Sequence, residues 1–448
     1  MIDLPTSIIE VLEKTYPSLA IINPKLSKLF KNCFPNTLET ATEIVEDGST
    51  FVITGDIPAM WLRDSAAQIK HYIPFAACDS KLQRIIEGVI RRQIMYISID
   101  PYANAFNREP NNYGHKNDIT EHNPWVWERK YEIDSLCYPV QLCYKYWKET
   151  GKTSHFDERF KSAVISIINL WRIEQRHHEL SSYRFVRMNC PDSDTLKNAG
   201  MGMPVNFTGM TWSGFRPSDD ACTFGYHIPS NMFAVVVLRY IEEIARYVYE
   251  DKKLEQAAAG LREEIDYGIS TYGIYRHPKY GEIYAYETDG YGNYNLMDDA
   301  NVPSLLSIPY LGYKTADDPI YRNTRRFVLS SDNPYFYEGR YAKGIGSPHT
   351  PKGYIWHIGL IMQALTSNDR EEIEEVLGMI CRTDAGTGFM HESFDADNPN
   401  NFTREWFGWA NSLFGELILY RIVGKDRADG LSEAAVTFNT EDESVIHF

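Results

Sequence analysis

The chain has 448 residues, of which 43% are hydrophobic and 24% charged, as in ordinary soluble globular proteins. Its net charge of −16 at pH 7 argues against a large basic surface, so we expect no nucleic-acid partner. Aromatic residues are abundant, with 30 Tyr, 21 Phe and 9 Trp. Most such rings fill cores, but aromatic faces with polar tips also suit a sugar-binding site.

The cysteines and the N-terminus bear on the compartment and on metals. The seven cysteines are scattered and form no CxxC pair, which favours neither a disulfide framework nor a zinc site. The N-terminus lacks the features of a signal peptide, and no apolar run approaches the roughly 20 residues that span a bilayer. We therefore expect a cytoplasmic protein without a membrane partner. No HExxH motif or EF-hand loop indicates a metal site.

Two kinds of predicted helix alternate along the chain. One kind is amphipathic, with one apolar stripe and one wet side, as around residues 82–94, 156–171, 254–265 and 373–380. The other kind is apolar or aromatic nearly all round and must be buried on every side. Clear examples of the second kind are Asn231–Val248, Tyr354–Leu365 and Trp406–Leu419.

Repetition of this pair predicts a double ring, in which buried inner helices form a barrel and amphipathic outer helices cover it. The predicted inner helices begin near Arg63, Glu132, Ser230, Val302, Tyr354 and Arg404. We therefore predict an all-α fold, an (α/α)6 barrel, although periodicity alone also allows an irregular helical bundle. No linker divides the chain, so we predict one domain over residues 1–448, with a polar, loosely attached tail from about Lys425. A Tyr/Gly-rich stretch within residues 280–295 predicts a hairpin or loop.

The segment before each predicted inner helix is more polar and aromatic than a connector requires. In a ring of inner helices that run the same way, these segments would meet at one mouth. Carboxylates, planar donors and indoles gathered there would suit a sugar pocket. The segments are TGDIPAMWLRDSAAQ (54–68), NPWVWERKYEIDS (123–135), MTWSGFRPSDDACTFGYHIPS (210–230), NLMDDANVPS (295–304), GIGSPHTPKGYIWH (344–357) and GFMHESFDADNPNNFTREWFGWAN (388–411).

Taken singly, the residues of this mouth have ordinary structural explanations. Asp64 could pair with Arg63 or cap a helix, Asp298 could also be a cap, and the histidines could be structural. Their convergence from separate segments instead predicts a site. The candidates are Trp61, Arg63, Asp64, Trp127, Glu128, Arg216, Asp219, Asp220, Asp298, Asp299, Asn301, His349, His391 and Glu392.

The same segments, together with MDDANVPSLLSIPYL and MHESF, resemble the exo-α-1,6-mannosidases of glycoside hydrolase family 125 from about Leu26 to Arg421. The resemblance implies the same (α/α)6 fold and removal of non-reducing terminal α-1,6-linked mannose from mannosides or N-glycan fragments. It also implies inversion of the anomeric configuration, without a metal or cofactor. The expected partner is a mannose-containing oligosaccharide.

By resemblance, the general acid lies in the SDDA motif and the general base is Glu392. We favour Asp219 as the acid, with Asp220 as the reserve candidate, because only one of two adjacent side chains in a turn can face the bond. We expect the charge of Asp220 to raise the pKa of Asp219. Arg63, Asp64, Asp299 and His349 are predicted to bind mannose hydroxyls and Trp61 or Trp127 to stack on the ring. Trp127, Glu128, Arg216, Asn301 and His391 complete the predicted substrate-binding set.

Two other functions are compatible with such a fold. A sugar epimerase would use histidines as bases, which would make His349, His357 and His391 central. A catalytically inactive sugar-binding protein would keep the pocket without turnover, although the presence of both expected carboxyl groups argues against it.

Overall fold

The computed structural model describes residues 2–424, and the tail predicted from about Lys425 lies outside them. Within this range the chain is predominantly helical, and the predicted (α/α)6 barrel is confirmed. The helices are α1 Thr6–Ile22, α2 Pro24–Cys33, α3 Leu62–Lys70, α4 Ser80–Ile99, α5 Ile133–Thr150, α6 Glu158–Glu174, α7 His177–Leu180, α8 Lys197–Gly200, α9 Ile228–Ile244, α10 Lys252–Tyr272, α11 Ile308–Leu311, α12 Pro319–Val328, α13 His357–Leu365, α14 Arg370–Cys381 and α15 Gly408–Ile418.

The inner ring consists of α3, α5, α9, α11, α13 and α15. Helix α3 packs against α5, α5 against α9, and α9 against α11, while α13 packs against α15. Contact between α15 and α3 closes the ring. Every residue of α15 is buried, as is every residue of α13 except Leu365, which is what a helix surrounded by others requires.

The outer helices begin differently from the inner helices. Each outer helix has an Asp or Asn at its N-cap, whose side chain accepts hydrogen bonds from the first free backbone N–H groups. These caps are Asn23 (α2), Asp79 (α4), Asp157 (α6), Asp251 (α10), Asp318 (α12) and Asp369 (α14). Helices α3, α5, α13 and α15 have no side-chain cap and continue directly from the mouth segments. The positive ends of their dipoles therefore point into the mouth, where they favour carboxylates.

The fourth inner helix differs from its prediction. It is a single turn that begins at Ile308, six residues after the expected start at Val302. Val302 precedes Pro303, and a residue before proline is disfavoured in helical conformation. The Asp298 carboxylate also accepts hydrogen bonds from the N–H groups of Leu305 and Leu306, which holds this stretch as a loop. Asp298 thus has a structural role, but it binds N–H groups of a loop and is not the helix cap that the sequence suggested.

Short strands frame the mouth, a feature that the helical periodicity did not predict. They are β1 Thr42–Ile44, β2 Thr50–Val52, β3 Met60–Trp61, β4 Ala105–Phe106, β5 Val126–Glu128, β6 Tyr226–His227, β7 Ile274–His277, β8 Gly281–Tyr284, β9 Glu287–Thr288, β10 Tyr294–Asn295, β11 Phe336–Glu338, β12 Lys343–Ile345, β13 Tyr354–Trp356, β14 Ser393–Asp395 and β15 Phe402–Thr403. The antiparallel pairs β7–β8 and β9–β10 confirm the hairpin prediction for the Tyr/Gly-rich stretch.

Three small antiparallel sheets lead into inner helices. Their strand orders are β3-β4-β5, β10-β9-β6 and β13-β14-β15. Strands β3, β6 and β13 each run without a break into α3, α9 and α13. These sheets fix where each inner helix begins, and they place the side chains beside those starts around one opening. No helix of the described residues is long and apolar enough to cross a membrane.

Candidate active site

A cavity of about 200 Å³ lies at the N-terminal ends of the inner helices. Residues from five of the six predicted mouth segments line it, whereas the segment 123–135 contributes none, so the predicted convergence holds for five segments. The lining residues are Thr54, Ile57, Trp61, Arg63, Asp64, Pro217, Ser218, Asp219, Asn301, His349, Trp356, Glu392, Arg404, Phe407 and Trp409.

Asp219 lies in a tight turn that the bridge between Phe215 and Ala221 closes. Its φ of 65° is in the left-handed region, which a residue other than glycine rarely adopts and which often marks functional positions. The side chain is 24% exposed, whereas that of Asp220 is 5% exposed. The turn thus aims two adjacent carboxyl groups in different directions, and Asp219 is the one that lines the cavity.

The electrostatic surroundings of Asp219 contradict one expectation. Burial raises the pKa of the Asp219 carboxyl. The pKa is nevertheless held well below its usual range, first by the charge of Arg63, then by hydrogen bonding with Glu132, and also by the charge of Lys130. Arg63 Nη2 lies 2.9 Å from Asp219 Oδ1. The prediction that the charge of Asp220 leaves Asp219 with a raised pKa is therefore wrong. The cations next to Asp219 outweigh its burial.

One guanidinium group organises this side of the cavity. Arg63 Nη1 donates to Glu132 Oε2 and, at 3.2 Å, to Asp134 Oδ2, and Nη2 donates to Asp219. The Nε atom lies 3.6 Å from Asp64 Oδ2. Arg63 is 3% exposed and is surrounded by four carboxyl groups. Because its Nη1 and Nη2 atoms are engaged by Glu132, Asp134 and Asp219, Arg63 is placed to position Asp219.

Glu392 is positioned by the strand pair β14–β15. It comes directly before β14, and Arg404 comes directly after β15, where Ser393 pairs with Thr403. This register places the two charged side chains side by side, with Arg404 Nη1 3.7 Å from Glu392 Oε1. Arg404 has a φ of 45° and also donates to Asp56. The predicted base and its neighbouring cation thus lie on one rigid hairpin.

Asp220 lies behind His349. The Nδ1 atom of His349 is 3.1 Å from Asp220 Oδ1, and the imidazole is about 40% exposed at the cavity. Burial lowers the pKa of His349, but the hydrogen bond with Asp220 and the charges of Asp220, Glu392 and Asp219 raise it overall to about 9. His349 is therefore a cation at neutral pH.

Several predicted sugar-binding residues do not line the cavity. Arg216 donates to Glu287, and Glu128 accepts from Arg187 and Asn104. Asp299 is fully buried and accepts from Asn301 and Ser347. Trp127 packs beside the cluster that contains Trp61. Arg216, Glu128 and Asp299 thus bind protein groups, and Trp127 lies one layer outside the cavity.

His391 also lies away from the cavity. Its ring stacks on Phe402 with centroids 3.9 Å apart, and its nitrogens bond backbone carbonyls of Glu405 and Asp384. His357 is fully buried against His391, and burial lowers its pKa to about 3. The epimerase hypothesis required three histidines at the reacting centre, but only His349 of these three lines the cavity.

The prediction missed residues on both sides of the cavity. Glu132, Asn104 and Asp134 surround Arg63 and Asp219, while Arg404, Trp356 and Trp409 line the cavity. Except for Asn104, they lie in or directly beside the polar mouth segments, so their segments carried the signal. The sequence around Asn104 carried no such signal, since Asn104 enters the site only through the pairing of β3 with β4.

A carboxyl-lined, aromatic cavity at the mouth of an (α/α)6 barrel, with Asp219 and Glu392 supplied by separate segments, is the site of a glycoside hydrolase. The amino-acid sequence identifies the family within the glycoside hydrolases. Residues 23–419 match the family GH125, the metal-independent alpha-mannosidases, and the chain belongs to this family.

Individual relatives support the assignment. The chain is 43% identical over 417 residues to the meiotically up-regulated gene 157 protein of Schizosaccharomyces pombe. That alignment covers 88% of this chain and 82% of the other. It is 50% identical to a metal-independent alpha mannosidase of Streptococcus pneumoniae, solved as a non-productive substrate complex with alpha-1,6-mannobiose. That alignment has a TM-score of 0.91 and covers 94% of this chain and 99% of the other. A glucoamylase of Saccharomycopsis fibuligera shares the fold alone, with 10% identity and a TM-score of 0.55 over 96% of each chain.

Proposed function

We propose that the protein is an exo-acting, inverting α-1,6-mannosidase that releases terminal mannose from mannosides or N-glycan fragments without a metal. The observation that carries the proposal is the cavity of about 200 Å³ with Asp219 and Glu392 in its lining. This volume is below the about 300–1,000 Å³ of typical ligand pockets, so it suits one sugar ring at a chain end and not the middle of a chain. The α-1,6-mannobiose bound by the Streptococcus pneumoniae relative supports the linkage.

In the proposed reaction, Asp219 protonates the departing glycosidic oxygen and Glu392 removes a proton from the attacking water. Inversion requires these groups on opposite faces of the sugar, about 6.5–9.5 Å apart, so that a water molecule fits between Glu392 and the anomeric carbon. Asp219 is favoured over Asp220 because its side chain lines the cavity, whereas Asp220 is directed toward His349. Asp220 then acts by holding His349.

The cavity residues also suggest how the sugar is held. Asp64, Asn301 and His349 offer acceptors and donors to hydroxyl groups, and Trp61 offers an aromatic wall. The buried Ser218 hydroxyl also lines the cavity and has no hydrogen-bond partner among the described residues. Since buried polar groups are rarely left unsatisfied, we assign Ser218 to a mannose hydroxyl. Arg63 supports this set by positioning Asp219.

Proton NMR of the first products released from α-1,6-mannobiose tests activity, linkage and stereochemistry together. We expect β-mannose to form first and to mutarotate afterwards. Initial formation of α-mannose would contradict inversion, and no cleavage would contradict the linkage.

Two further measurements test exo action and metal independence. A long α-1,6-mannan should yield mannose alone, and release of internal fragments would contradict exo action. Activity should survive EDTA, and a loss that calcium restores would contradict metal independence.

A further inference from the structure

We propose that Glu132 holds the proton that Asp219 delivers to the departing oxygen, which makes the two carboxyl groups a proton-relay pair. The inference rests on the proposed role of Asp219 as the general acid. It begins from a chemical problem, because Asp219 lies within hydrogen-bond distance of Arg63 and its surroundings favour the carboxylate. A carboxylate has no proton to donate, so the acid needs a neighbouring source.

The first observation is that the Glu132 and Asp219 side chains are held together by the same donors. Arg63 donates from Nη1 to Glu132 and from Nη2 to Asp219. Asn104 Nδ2 lies 3.4 Å from Glu132 Oε1 and 3.3 Å from Asp219 Oδ1. Two ionised carboxylates are both acceptors and repel each other at this separation, so a proton held by one of them is favoured. Glu132 Oε2 already accepts from Arg63 and, at 2.8 Å, from Ser135. The partner of Oε1 is weaker, since Asn104 Nδ2 lies 3.4 Å away and bonds Asp219 Oδ1 as well, so we place the proton on Oε1.

The second observation is the balance of charge around Arg63. Asp64, Glu132, Asp134 and Asp219 face this one guanidinium, so full ionisation would leave a net charge of −3 in a buried cluster. Like charges at such distances cannot all be ionised in a water-poor site. The side chain of Glu132 has no exposed surface, whereas Asp219 is 24% exposed. The cluster therefore retains a proton, and Glu132 is the less hydrated member of the pair.

The remaining neighbours favour the same distribution. Lys130 Nζ donates to the backbone oxygen of Asp219 at 2.7 Å, which adds a second cation on the Asp219 side. Burial, together with Asp219 and Asp134, raises the pKa of Glu132 well above its usual range despite Arg63.

The relay balances in protons. The Glu132 O–H bond breaks as an O–H bond forms on Asp219, which then passes that proton to the glycosidic oxygen as the C–O bond breaks. Glu392 takes one proton from the attacking water, whose oxygen becomes the new hydroxyl group. Arg63 and Ser135 stabilise the carboxylate left on Glu132. After product release, Glu392 loses its proton to solvent, while Asp219, which lines the cavity, takes a proton from solvent and passes it to Glu132.

The test is the full-length Glu132→Gln variant, assayed on α-1,6-mannobiose and on 2,4-dinitrophenyl α-mannoside. Glutamine keeps the shape and neutrality of protonated Glu132 but cannot release a proton. We expect kcat on mannobiose to fall by about 10²-fold, with KM little changed, and kcat on the activated substrate to fall by less than about tenfold. The alkaline limb of the mannobiose pH profile should move to lower pH by more than about one unit, since only Asp219 itself then holds the proton.

Asp134→Asn is the matched control, because Asp134 is equally buried and contacts the same Arg63 Nη1. Its losses should be equal on both substrates. An unchanged alkaline limb in Glu132→Gln, or equal losses on both substrates, would overturn the relay. If wild type cleaves mannobiose and Asp219→Asn shows the leaving-group dependence of an acid, such a result rejects Glu132 alone. If Asp219→Asn lacks that dependence, the proposed acid and the relay both fail.

A second measurement does not depend on the folding of any variant. Infrared spectra of wild type with ¹³C-labelled glutamate should contain, at pH 7, a shifted C=O band of a protonated glutamic acid. The absence of any such band would overturn the proposal.

Discussion

The two sides of the cavity hold their carboxyl groups in different ways. Asp219 lies in a network of Arg63, Lys130 and three further carboxyl groups, on a turn with left-handed backbone. Glu392 lies at the end of a hairpin with one cation, Arg404, at 3.7 Å. The first arrangement controls where a proton is stored, whereas the second only orients a carboxylate. An acid needs to keep and release a proton, and a base only needs to accept one, so the difference fits the proposed roles.

The largest expected effect concerns Glu392, on the side of the cavity formed by the β14–β15 hairpin. Glu392→Gln should lower kcat by about 10²–10⁴-fold, because glutamine cannot accept the proton of the attacking water. Mannose binding, measured by calorimetry, should remain within a few-fold of wild type. The control is Glu405→Gln, an exposed glutamate next to Arg404. Near-normal turnover of Glu392→Gln would exclude Glu392 as the base.

The second effect separates the two adjacent aspartates. A mannosyl leaving group needs protonation, whereas a dinitrophenolate departs largely unaided. Asp219→Asn should therefore lose about 10²–10⁴-fold on α-1,6-mannobiose and far less on 2,4-dinitrophenyl α-mannoside. Asp220→Asn should lose less and equally on both substrates, because Asp220 acts through His349. If the substrate dependence appeared in Asp220→Asn instead, the assignment would be reversed.

A third effect concerns His349, which faces charges from both sides of the cavity. Its pKa is raised from an ordinary 6.5 to about 9, so its contribution to stability is complete below about pH 6.5 and is lost as the pH rises through 9. Because the side chain is about 40% exposed, solvent screening should keep this contribution below about 1 kcal/mol. Chemical denaturation at pH 7 and pH 10 should show a larger loss in wild type than in His349→Gln. Equal losses would mean that His349 is not a cation at pH 7.

Much of the architecture could be predicted from periodicity. Helices α9, α13 and α15 are buried on nearly all sides, and their apolar sequences admitted no other placement. The inner helix near Val302 was misplaced because Pro303 and the hydrogen bonds of Asp298 hold a loop where apolar residues suggested a helix. Outside the Tyr/Gly-rich stretch, the two- and three-residue strands were not predictable, since such short segments carry no period.

The site was predictable by segment but only partly by residue. The predicted residues that line the cavity are Trp61, Arg63, Asp64, Asp219, Asn301, His349 and Glu392. Glu128 and Asp299 look equally suitable in the sequence, yet their side chains bond to protein groups. Which carboxyl group of a polar segment faces the cavity depends on turn geometry and strand register. These are long-range results of packing, and the pKa of Asp219 depends on Arg63, which is distant in sequence.

The smallest effect compares one hydroxyl on each side of the cavity. Ser135 Oγ donates to Glu132 Oε2 at 2.8 Å, and Thr403 Oγ1 lies 2.6 Å from Ser393 Oγ behind Glu392. Ser135→Ala and Thr403→Val should each lower the free energy of unfolding by about 0.5–1.5 kcal/mol, the net value of one hydrogen bond. Both should reduce kcat by less than about tenfold.

The two variants should differ in the pH dependence of kcat, which distinguishes the two sides of the cavity. Loss of the Ser135 donor disfavours ionised Glu132 and raises its pKa, so the alkaline limb of kcat should move to higher pH by less than about one unit. Thr403→Val removes a bond that orients Glu392 and holds no proton of the relay, so its alkaline limb should coincide with that of wild type. A shift of the same size in both variants would mean that the two sides of the cavity do not differ in the way they control protons.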